Sequence, residues 1–260
     1  MNFRIIKYGT KLFFPFMFAY FGWMRKFSKN PSKYPLELRF KRVHELAIKV
    51  CKAFKMDIES SDFEKFKNDE NCNHLIVSNH QATLDAALFL AVYKTPITFI
   101  AKKEAETTPF VGKCIKILDG EFLDRNDAKQ ALKTFMNVQR KLLDTNNKID
   151  IIIFPEGGTN KDPENVHIKE FKAGAFRCAL KTRCPIDVLA CYGTFRAARQ
   201  KYKTKRNPVE IEYITTFRFD DYKDETTETL SQKLHTLIGD RVQKFRDNED
   251  KIRIEKLNKN

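Results

Sequence analysis

The chain lacks the cysteine patterns that build disulfide-stabilised or zinc-binding domains. Its six cysteines include no Cys-x-x-Cys pair and no spacing typical of metal ligands. Scattered cysteines of this kind are typical of small, buried, reduced side chains in a cytosolic protein. None stands out as an activated nucleophile, and neither does any serine. We therefore expect no bound metal and no resident cofactor.

Repeats, low-complexity linkers and a signal-peptide cleavage site are also absent from the sequence. Without a cleavage site, the amino-terminal segment is expected to be retained. A chain of 260 residues is long enough to bury a sizeable core, and it suits one large domain with a small appended element.

No uncharged stretch near the amino terminus is long enough to cross a bilayer. Residues 12–24 carry no charge and are rich in phenylalanine, yet a helix over them extends only about 20 Å, against a hydrocarbon core of about 30 Å. Basic residues flank the stretch on both sides: Arg4, Lys7, Lys11, Arg25, Lys26 and Lys29. Cationic flanks around an aromatic segment are typical of a helix that lies in an anionic leaflet.

A second amphipathic helix is predicted over residues 36–54, after the break at Pro31. We therefore interpret residues 1–54 as a membrane-associating helix pair, which would make the protein monotopic or peripheral on the cytoplasmic face of the cell membrane. In the alternative interpretation, both helices cover the sheet and complete the core.

The net charge predicts anionic partners. The sequence has 48 Lys and Arg against 34 Asp and Glu, a formal charge of +14. An excess of this size favours phospholipid surfaces, phosphorylated substrates or nucleic acid. Because no recognised nucleic-acid-binding motif accompanies the charge, we expect an anionic membrane and no nucleic acid.

From Leu75 onward, short apolar runs alternate with amphipathic segments. This pattern predicts an α/β domain over residues 55–247, with a mixed, largely buried β-sheet flanked by helices. The predicted strands are Leu75–Ser78, Ile97–Ala101, Gly120–Leu123, Asp150–Phe154, Ile186–Cys191 and Val209–Thr216. The predicted helices are Thr83–Tyr93, Ala128–Asp144, Phe171–Thr182 and Thr226–Asp247. Residues 55–73 are expected to be a connection, and residues 248–260 a charged, exposed tail.

A histidine and an aspartate stand where the first of these strands gives way to a helix. His80 precedes Asp85 by five positions, a spacing that would put them about 140° apart on one helix. They can meet only if the chain turns between them, and then the carboxylate can orient the imidazole as a general base. A His and an Asp at this spacing also arise by chance on protein surfaces.

Further motifs follow His80 and Asp85 in a fixed order. They are Ala101-Lys102-Lys103-Glu104, Pro109-Phe110-Val111-Gly112, Gly120-Glu121-Phe122-Leu123-Asp124-Arg125, Phe154-Pro155-Glu156-Gly157-Gly158, Phe171-Lys172-Ala173-Gly174 and Cys184-Pro185-Ile186. This ordered set resembles the 1-acylglycerol-3-phosphate (lysophosphatidic acid) acyltransferase family of glycerolipid acyltransferases. The resemblance covers nearly half of the chain, from Leu75 to Ala190.

The resemblance implies transfer of a fatty acyl group from a thioester to the sn-2 hydroxyl of lysophosphatidic acid, which gives phosphatidic acid. It implies that His80 is the base and that Asp85 orients it. Lys102 and Arg125 match positions that bind the substrate phosphate, and arginine and lysine both suit phosphate. The acyl donor is expected to be acyl-CoA or acyl carrier protein, and the sequence does not distinguish them.

The third motif departs from the family pattern, which reads Phe-Pro-Glu-Gly, then Ser or Thr, then Arg. Here Gly158 follows Gly157 and the arginine is missing. Glu156 and Gly157 are in place, so the turn is expected to be preserved, and Glu156, Gly157 and Gly158 are assigned to substrate binding. The backbone N–H of Gly157 or Gly158 can contact the phosphate or the oxyanion, because glycine lets a ligand approach closely. We expect Lys161, Lys169 or Lys172 to supply the missing charge, and we favour Lys172.

Three other functions stay open from the sequence. The missing arginine is compatible with an acyltransferase for another lysophospholipid head group. A thioester hydrolase would use the same base on water. A non-catalytic, basic membrane-binding relative would have no chemical reason to keep both His80 and Asp85.

Overall fold

One mixed sheet runs through the computed structural model, which describes residues 3–61, 72–162, 168–198 and 206–257. Within those residues it has seven strands, in the order β1-β7-β6-β2-β5-β3-β4. They are β1 (Met56–Ser61), β2 (Leu75–Ser78), β3 (Ile97–Lys102), β4 (Glu121–Leu123), β5 (Asp150–Ile153), β6 (Ile186–Tyr192) and β7 (Asn207–Phe217). Strands β6, β2, β5, β3 and β4 are parallel to one another, and β7 pairs antiparallel with β6 and parallel with β1.

The helices of the described residues lie before, between and after these strands. They are α1 (Phe3–Ala19), α2 (Arg25–Lys29), α3 (Leu36–Ala53), α4 (Asp85–Val92), α5 (Val111–Ile117), α6 (Ala128–Leu142), α7 (Arg177–Thr182), α8 (Thr194–Ala198), α9 (Phe219–Tyr222) and α10 (Thr227–Leu257). A π-helical turn, Tyr20–Met24, joins α1 to α2. Short 3-10 turns cover Pro31–Lys33, Lys103–Thr107 and Ala173–Phe176.

The central strands are buried on both faces, as continuous apolar runs in parallel strands require. Every residue of β2, β5 and β6 is buried. Along β2, Leu75 and Val77 belong to one apolar cluster and Ile76 to another, because successive side chains point to opposite faces. Helices α6, α7 and α10 contribute to the first cluster, and α3 and α4 to the second.

The amino-terminal helices are partly core and partly exposed. Ala19, Met24 and Phe27 are buried in the cluster that covers the second face of the sheet. The same segment leaves four large aromatic side chains 60–70% exposed: Phe13, Phe14, Phe18 and Phe21. We call these four residues the phenylalanine ridge. Among the described residues, no helix has the length and apolar character needed to cross a membrane.

The predicted α/β class, with a largely buried sheet and an amino-terminal helix pair, is confirmed, and all six predicted strands are present. The expected connection over residues 55–73 is wrong in part, because Met56–Ser61 form the edge strand β1. The expected end of the last helix is also wrong, since α10 continues past Asp247 to Leu257. The predicted helix Phe171–Thr182 is a 3-10 turn followed by α7.

Candidate active site

The residues predicted to act in catalysis gather at one edge of the sheet. Because β6, β2, β5, β3 and β4 are parallel, their carboxyl ends meet at the same edge. In α/β proteins this edge is where ligands bind. A polar or ionisable side chain lies at or shortly after the end of each of the five strands. These residues are Thr194 after β6, His80 after β2, Glu156 after β5, Lys102 in β3 and Arg125 after β4.

His80 and Asp85 contact each other across the turn between β2 and α4. His80 Nδ1 lies 2.8 Å from Asp85 Oδ2. Asp85 is an acceptor when ionised, so Nδ1 carries the proton and Nε2 is left as the basic nitrogen. The His80 side chain is 17% exposed, and its Nε2 has no hydrogen-bond partner among the described residues. The ring is therefore ready to take a proton from a ligand.

The Asp85 carboxylate is fully buried and accepts several hydrogen bonds besides that of His80. Its Oδ2 accepts the backbone N–H groups of Gln81, at 2.6 Å, and Ala82, at 3.0 Å. Its Oδ1 accepts the hydroxyl of Thr194. A buried charge is tolerated only when it is bonded in this way. The donors hold the carboxylate in one orientation, and through it the imidazole.

Phe154 fixes the plane of the His80 ring. The two rings are stacked, with centroids 4.3 Å apart and planes 11° from parallel. Phe154 follows β5 directly, so the strand next to β2 supplies this contact. One hydrogen bond and one stacking contact together leave the imidazole little freedom to rotate.

Glu156 joins the loop that carries His80 to the loop that carries Lys169. Its Oε1 accepts the backbone N–H of His80 at 2.6 Å, and its Oε2 accepts that of Lys169 at 3.1 Å. Burial raises the pKa of Glu156 to about 7, against the two backbone hydrogen bonds, which favour the carboxylate. The geometry gives Glu156 a positioning role. Its assignment to substrate binding stays a prediction.

Two cations lie over the glycines of the third motif. Arg125 Nη1 donates to the carbonyl of Gly157 at 3.2 Å, and Lys169 Nζ to that of Gly158 at 3.4 Å. Gly157 has φ +72°, and a Cβ at this position would lie 2.4 Å from the Arg125 guanidinium. A side chain there would be strained and would also displace Arg125.

Lys102 and Lys172 have exposed side chains and make fewer contacts near His80 than Arg125 and Lys169 do. Lys172 donates its backbone N–H to the carbonyl of Pro155 at 2.9 Å, and its side chain is exposed. Lys102 is the exposed last residue of β3, which β5 separates from β2. Of the three lysines considered as replacements for the missing arginine, Lys169 is the one whose side chain contacts the third motif, at the carbonyl of Gly158. Sequence reasoning favoured Lys172.

Sequence reasoning missed the contacts that join the His80 loop to the end of β6. Asn79 exchanges two hydrogen bonds with the backbone of Cys191, each 2.9 Å long. Gln81 Oε1 accepts the N–H of Gly193 at 2.8 Å. Thr194 lies 109 positions from Asp85 in the chain, and nothing in the local sequence indicates that contact.

The arrangement provides one partly exposed imidazole base, a buried carboxylate that orients it, and cations nearby for an anionic ligand. Among the residues that the structure describes, no three His, Cys, Asp or Glu side chains are grouped as metal ligands would be. The imidazole, the carboxylate that orients it and the nearby cations suit acid–base chemistry on an anionic substrate.

Comparison with known proteins gives consistent matches. The family model described as Acyltransferase matches residues 57–191. The 1-acyl-sn-glycerol-3-phosphate acyltransferase of Cocos nucifera is 27% identical over 186 residues, which are 71% of this chain and 57% of that protein. The probable 1-acyl-sn-glycerol-3-phosphate acyltransferase of Mycoplasma pneumoniae is 28% identical over 193 residues, 72% of this chain and 68% of its own length. The chain thus spans little more than half of the coconut relative.

A solved structure shows the same fold. The crystal structure of the 1-acyl-sn-glycerophosphate (LPA) acyltransferase of Thermotoga maritima superimposes with a TM-score of 0.70 and 22% identity, covering 94% of this chain and 98% of that one. The family model and the His80–Asp85 site lie in the same part of the sequence. Because that model matches more than half of the 260 residues, the chain belongs to the Acyltransferase family of enzymes.

Proposed function

We propose that this protein transfers a fatty acyl group from a thioester to the sn-2 hydroxyl of lysophosphatidic acid, forming phosphatidic acid for phospholipid synthesis. The observation that carries the proposal is the contact between His80 and Asp85, 2.8 Å from Nδ1 to Oδ2. It leaves Nε2 of the partly exposed imidazole without a partner among the described residues. The names of the matched relatives in coconut and Mycoplasma pneumoniae support the same substrate.

In this reaction His80 Nε2 takes the proton of the sn-2 hydroxyl as the oxygen attacks the thioester carbonyl. The C–O ester bond forms, the C–S bond breaks, and the imidazolium returns the proton to the departing thiolate. Asp85 stabilises the imidazolium between the two proton transfers. Positioned acid–base catalysis of this kind contributes about 10²- to 10⁴-fold to the rate.

We assign the substrate phosphate to the cations beside the third motif. Arg125 and Lys169 contact the carbonyls of Gly157 and Gly158, and Lys172 is exposed nearby. Arg125 can offer two parallel N–H groups to a phosphate, and a lysine offers a mobile charge. Lys169 then takes the place of the arginine that the motif lacks. Lys102, at the end of β3, is a further candidate.

We also propose that the phenylalanine ridge docks the enzyme on the membrane that holds its substrate. Four adjacent aromatic side chains that are 60–70% exposed, with Lys11, Arg25, Lys26 and Lys29 exposed around them, suit an anionic interface. The acyl donor is acyl-CoA or acyl carrier protein, and both are anionic partners for a chain of net charge +14.

The test is acyl transfer to lysophosphatidic acid in vesicles with each donor, for the wild type, His80→Ala and the control His44→Asn. His44 lies in α3 and contacts the carbonyl of Leu90, so asparagine keeps its hydrogen bond. We expect phosphatidic acid from the wild type and the control, and at least about 10²-fold less from His80→Ala. Free fatty acid instead of diacyl product indicates a hydrolase. A folded wild type that makes no product with either donor contradicts the proposal.

A further inference from the structure

A basic cleft lies between the amino-terminal helices and α5. It has a volume of about 420 Å³ and is lined by Tyr20, Arg25, Ser28 and Lys29 from one side and by Thr107, Thr108, Lys113 and Lys116 from the other. These residues lie outside the His80–Asp85 site, and the acyl-transfer mechanism does not use them. We call this feature the α2–α5 cleft.

Most of the positive charge in the cleft is not neutralised by any residue that the structure describes. Its lining includes one carboxylate, Glu106, which is already paired with Lys103 at 2.6 Å and Lys116 at 2.8 Å. Arg25, Lys29 and Lys113 form no ion pair with any residue that the structure describes. Lys113 instead lies over the ring of Tyr20, 5.4 Å from its centroid. Three uncompensated cations around one concave surface attract an anion.

The cleft adjoins the phenylalanine ridge. Tyr20, which forms part of its wall, makes an edge-to-face contact with Phe21 of the ridge, with centroids 5.2 Å apart. An occupant that fills the cleft therefore lies beside side chains that suit the acyl region of a bilayer. Apolar side chains next to clustered lysine and arginine match the two halves of an anionic phospholipid.

We propose that the α2–α5 cleft binds the phosphate head group of an anionic phospholipid in the host membrane. The inference rests on the membrane docking in the proposed function and names the lipid chemistry that docking selects. The hydroxyls of Ser28, Thr107 and Thr108 also line the cleft, but each donates its proton to a backbone carbonyl of Arg25 or Glu104. The three cations are therefore the groups that would hold the phosphate. An acidic partner protein fits the cleft less well, because a specific protein interface needs a surface much larger than one head group.

Head-group binding would also orient the enzyme on the bilayer. Pro109, Phe110 and Gly112 line the cleft and lie in the segment between Lys102 and Arg125 of the candidate site. Phe110 also packs against Phe16 of α1, with ring centroids 4.4 Å apart. A lipid held here therefore contacts both the membrane-facing helices and the segment that leads to the catalytic edge of the sheet.

The experiment compares two double charge reversals on the full chain, checked for folding by thermal unfolding. Lys29→Glu with Lys113→Glu alters the cleft. Lys11→Glu with Lys26→Glu is the control of equal charge change. Both of these lysines are exposed on the amino-terminal helices, as Lys29 is, and neither lines the cleft. Vesicles are phosphatidylcholine alone or mixed with phosphatidylglycerol. Partitioning is read by sedimentation and by the emission of Trp23, the single tryptophan of the chain.

We expect both reversals to weaken binding to phosphatidylglycerol vesicles through the general loss of charge, about fivefold per charge near the surface. The affinity of the cleft variant for these vesicles should fall at least about tenfold further than that of the control. The neutral pair Lys29→Gln with Lys113→Gln should also lower the preference for phosphatidylglycerol over phosphatidylcholine. Both reversals should bind pure phosphatidylcholine as the wild type does.

Equal losses in the cleft variant and the control would overturn the cleft as a head-group site. So would an unchanged vesicle affinity together with poorer acyl transfer from acyl carrier protein, which would indicate protein docking instead. Failure of the wild type to bind any vesicle would overturn membrane docking itself, and the cleft with it. A third result would overturn the cleft alone. In it, Phe18→Ser with Phe21→Ser abolishes vesicle binding, while the cleft variant keeps the preference for phosphatidylglycerol.

Discussion

Asp85 shows how one buried carboxylate prepares the site. It is fully buried and accepts hydrogen bonds from the His80 ring, two backbone N–H groups and the hydroxyl of Thr194. Removing one donor leaves a carboxylate oxygen without a hydrogen bond, at a cost of about 1.5–3 kcal/mol. The carboxylate can then change its orientation. In the proposed reaction Thr194 would therefore act only through Asp85, as a positioning residue.

We predict that Thr194→Val lowers kcat about tenfold and leaves the KM for the lysolipid unchanged. Valine keeps the shape of threonine and removes the donor to Asp85 Oδ1. Steady-state kinetics of the purified enzyme measure both constants. Thr194→Ser restores the hydroxyl and should recover most of kcat. The positioning role would be contradicted if Thr194→Val changed KM as much as kcat, or if Thr194→Ser did not restore kcat.

Glu156 makes stability depend on pH. Its pKa is raised from 4.5 to about 7 by burial, so the folded protein holds a proton there that the unfolded chain has lost. The resulting contribution to the free energy of unfolding, up to about 3 kcal/mol, is fully present below pH 4.5 and is lost as the pH rises to about 7.

We predict that unfolding midpoints of the wild type fall between pH 5 and 7 relative to those of Glu156→Gln, which cannot titrate. Urea unfolding at several pH values measures the difference. Glu210, whose pKa is also raised to about 7 by burial and by Glu59, is present in both proteins and cancels. Parallel pH curves for the two proteins would contradict the assigned ionisation.

The sequence predicts the contact between His80 and Asp85, which the structure contains, but it does not predict the contacts that support Asp85. The strand–turn–helix around His80 and Asp85 is local, because the apolar run of β2 and the apolar helix α4 both lie within a few residues of the pair. Thr194 contacts Asp85 across 109 positions, and the pairing exists only because β6 lies beside β2. Contacts of this kind depend on strand order, which a single sequence does not specify.

At the scale of the elements, the burial of a strand determines whether the sequence predicts it. Strands β2, β5 and β6 are buried throughout and rich in isoleucine, valine and leucine, so each appears in the sequence as an apolar run. Strand β1 was missed because it is an edge strand with mostly exposed residues, Met-Asp-Ile-Glu-Ser-Ser, and pairs only with β7. Polar edge strands resemble loops in a sequence.

Close packing explains the glycine at the start of α5. A Cβ on Gly112 would lie 2.1 Å from the carbonyl oxygen of Glu106, in the 3-10 turn beneath the helix. We predict that Gly112→Ala destabilises the protein by about 1–3 kcal/mol, since backbone atoms must move to admit the methyl group. Denaturant unfolding measures the change.

Gly22→Ala is the matched control, because nothing lies within 4 Å of its position in the π-helical turn. Alanine there should be neutral or stabilising by up to about 1 kcal/mol. If the two substitutions have equal effects, contact with the 3-10 turn does not explain the need for glycine at position 112.

At the scale of the whole molecule, the amino-terminal helices serve the fold and, we propose, the membrane. The fold needs them because Ala19, Met24 and Phe27 complete the cluster on one face of the sheet. The phenylalanine ridge is exposed on the same segment. The two interpretations of this segment from the sequence, core cover and membrane contact, are therefore compatible. Deleting residues 1–30 would uncover the core, so point substitutions in the ridge are the sharper test of membrane docking.

We predict that Phe18→Ser with Phe21→Ser weakens vesicle partitioning at least about 100-fold and leaves the free energy of unfolding unchanged. The two side chains are 70% and 65% exposed, so serine removes apolar area that only a bilayer can bury, about 1.5–3 kcal/mol for each ring. Acyl transfer to lysophosphatidic acid in vesicles should fall in proportion. Transfer to a short-chain lysolipid below its micelle concentration should not change, because that acceptor reaches His80 from solution. Equal losses on the two acceptors would mean that the ridge acts on the site itself and not on the membrane.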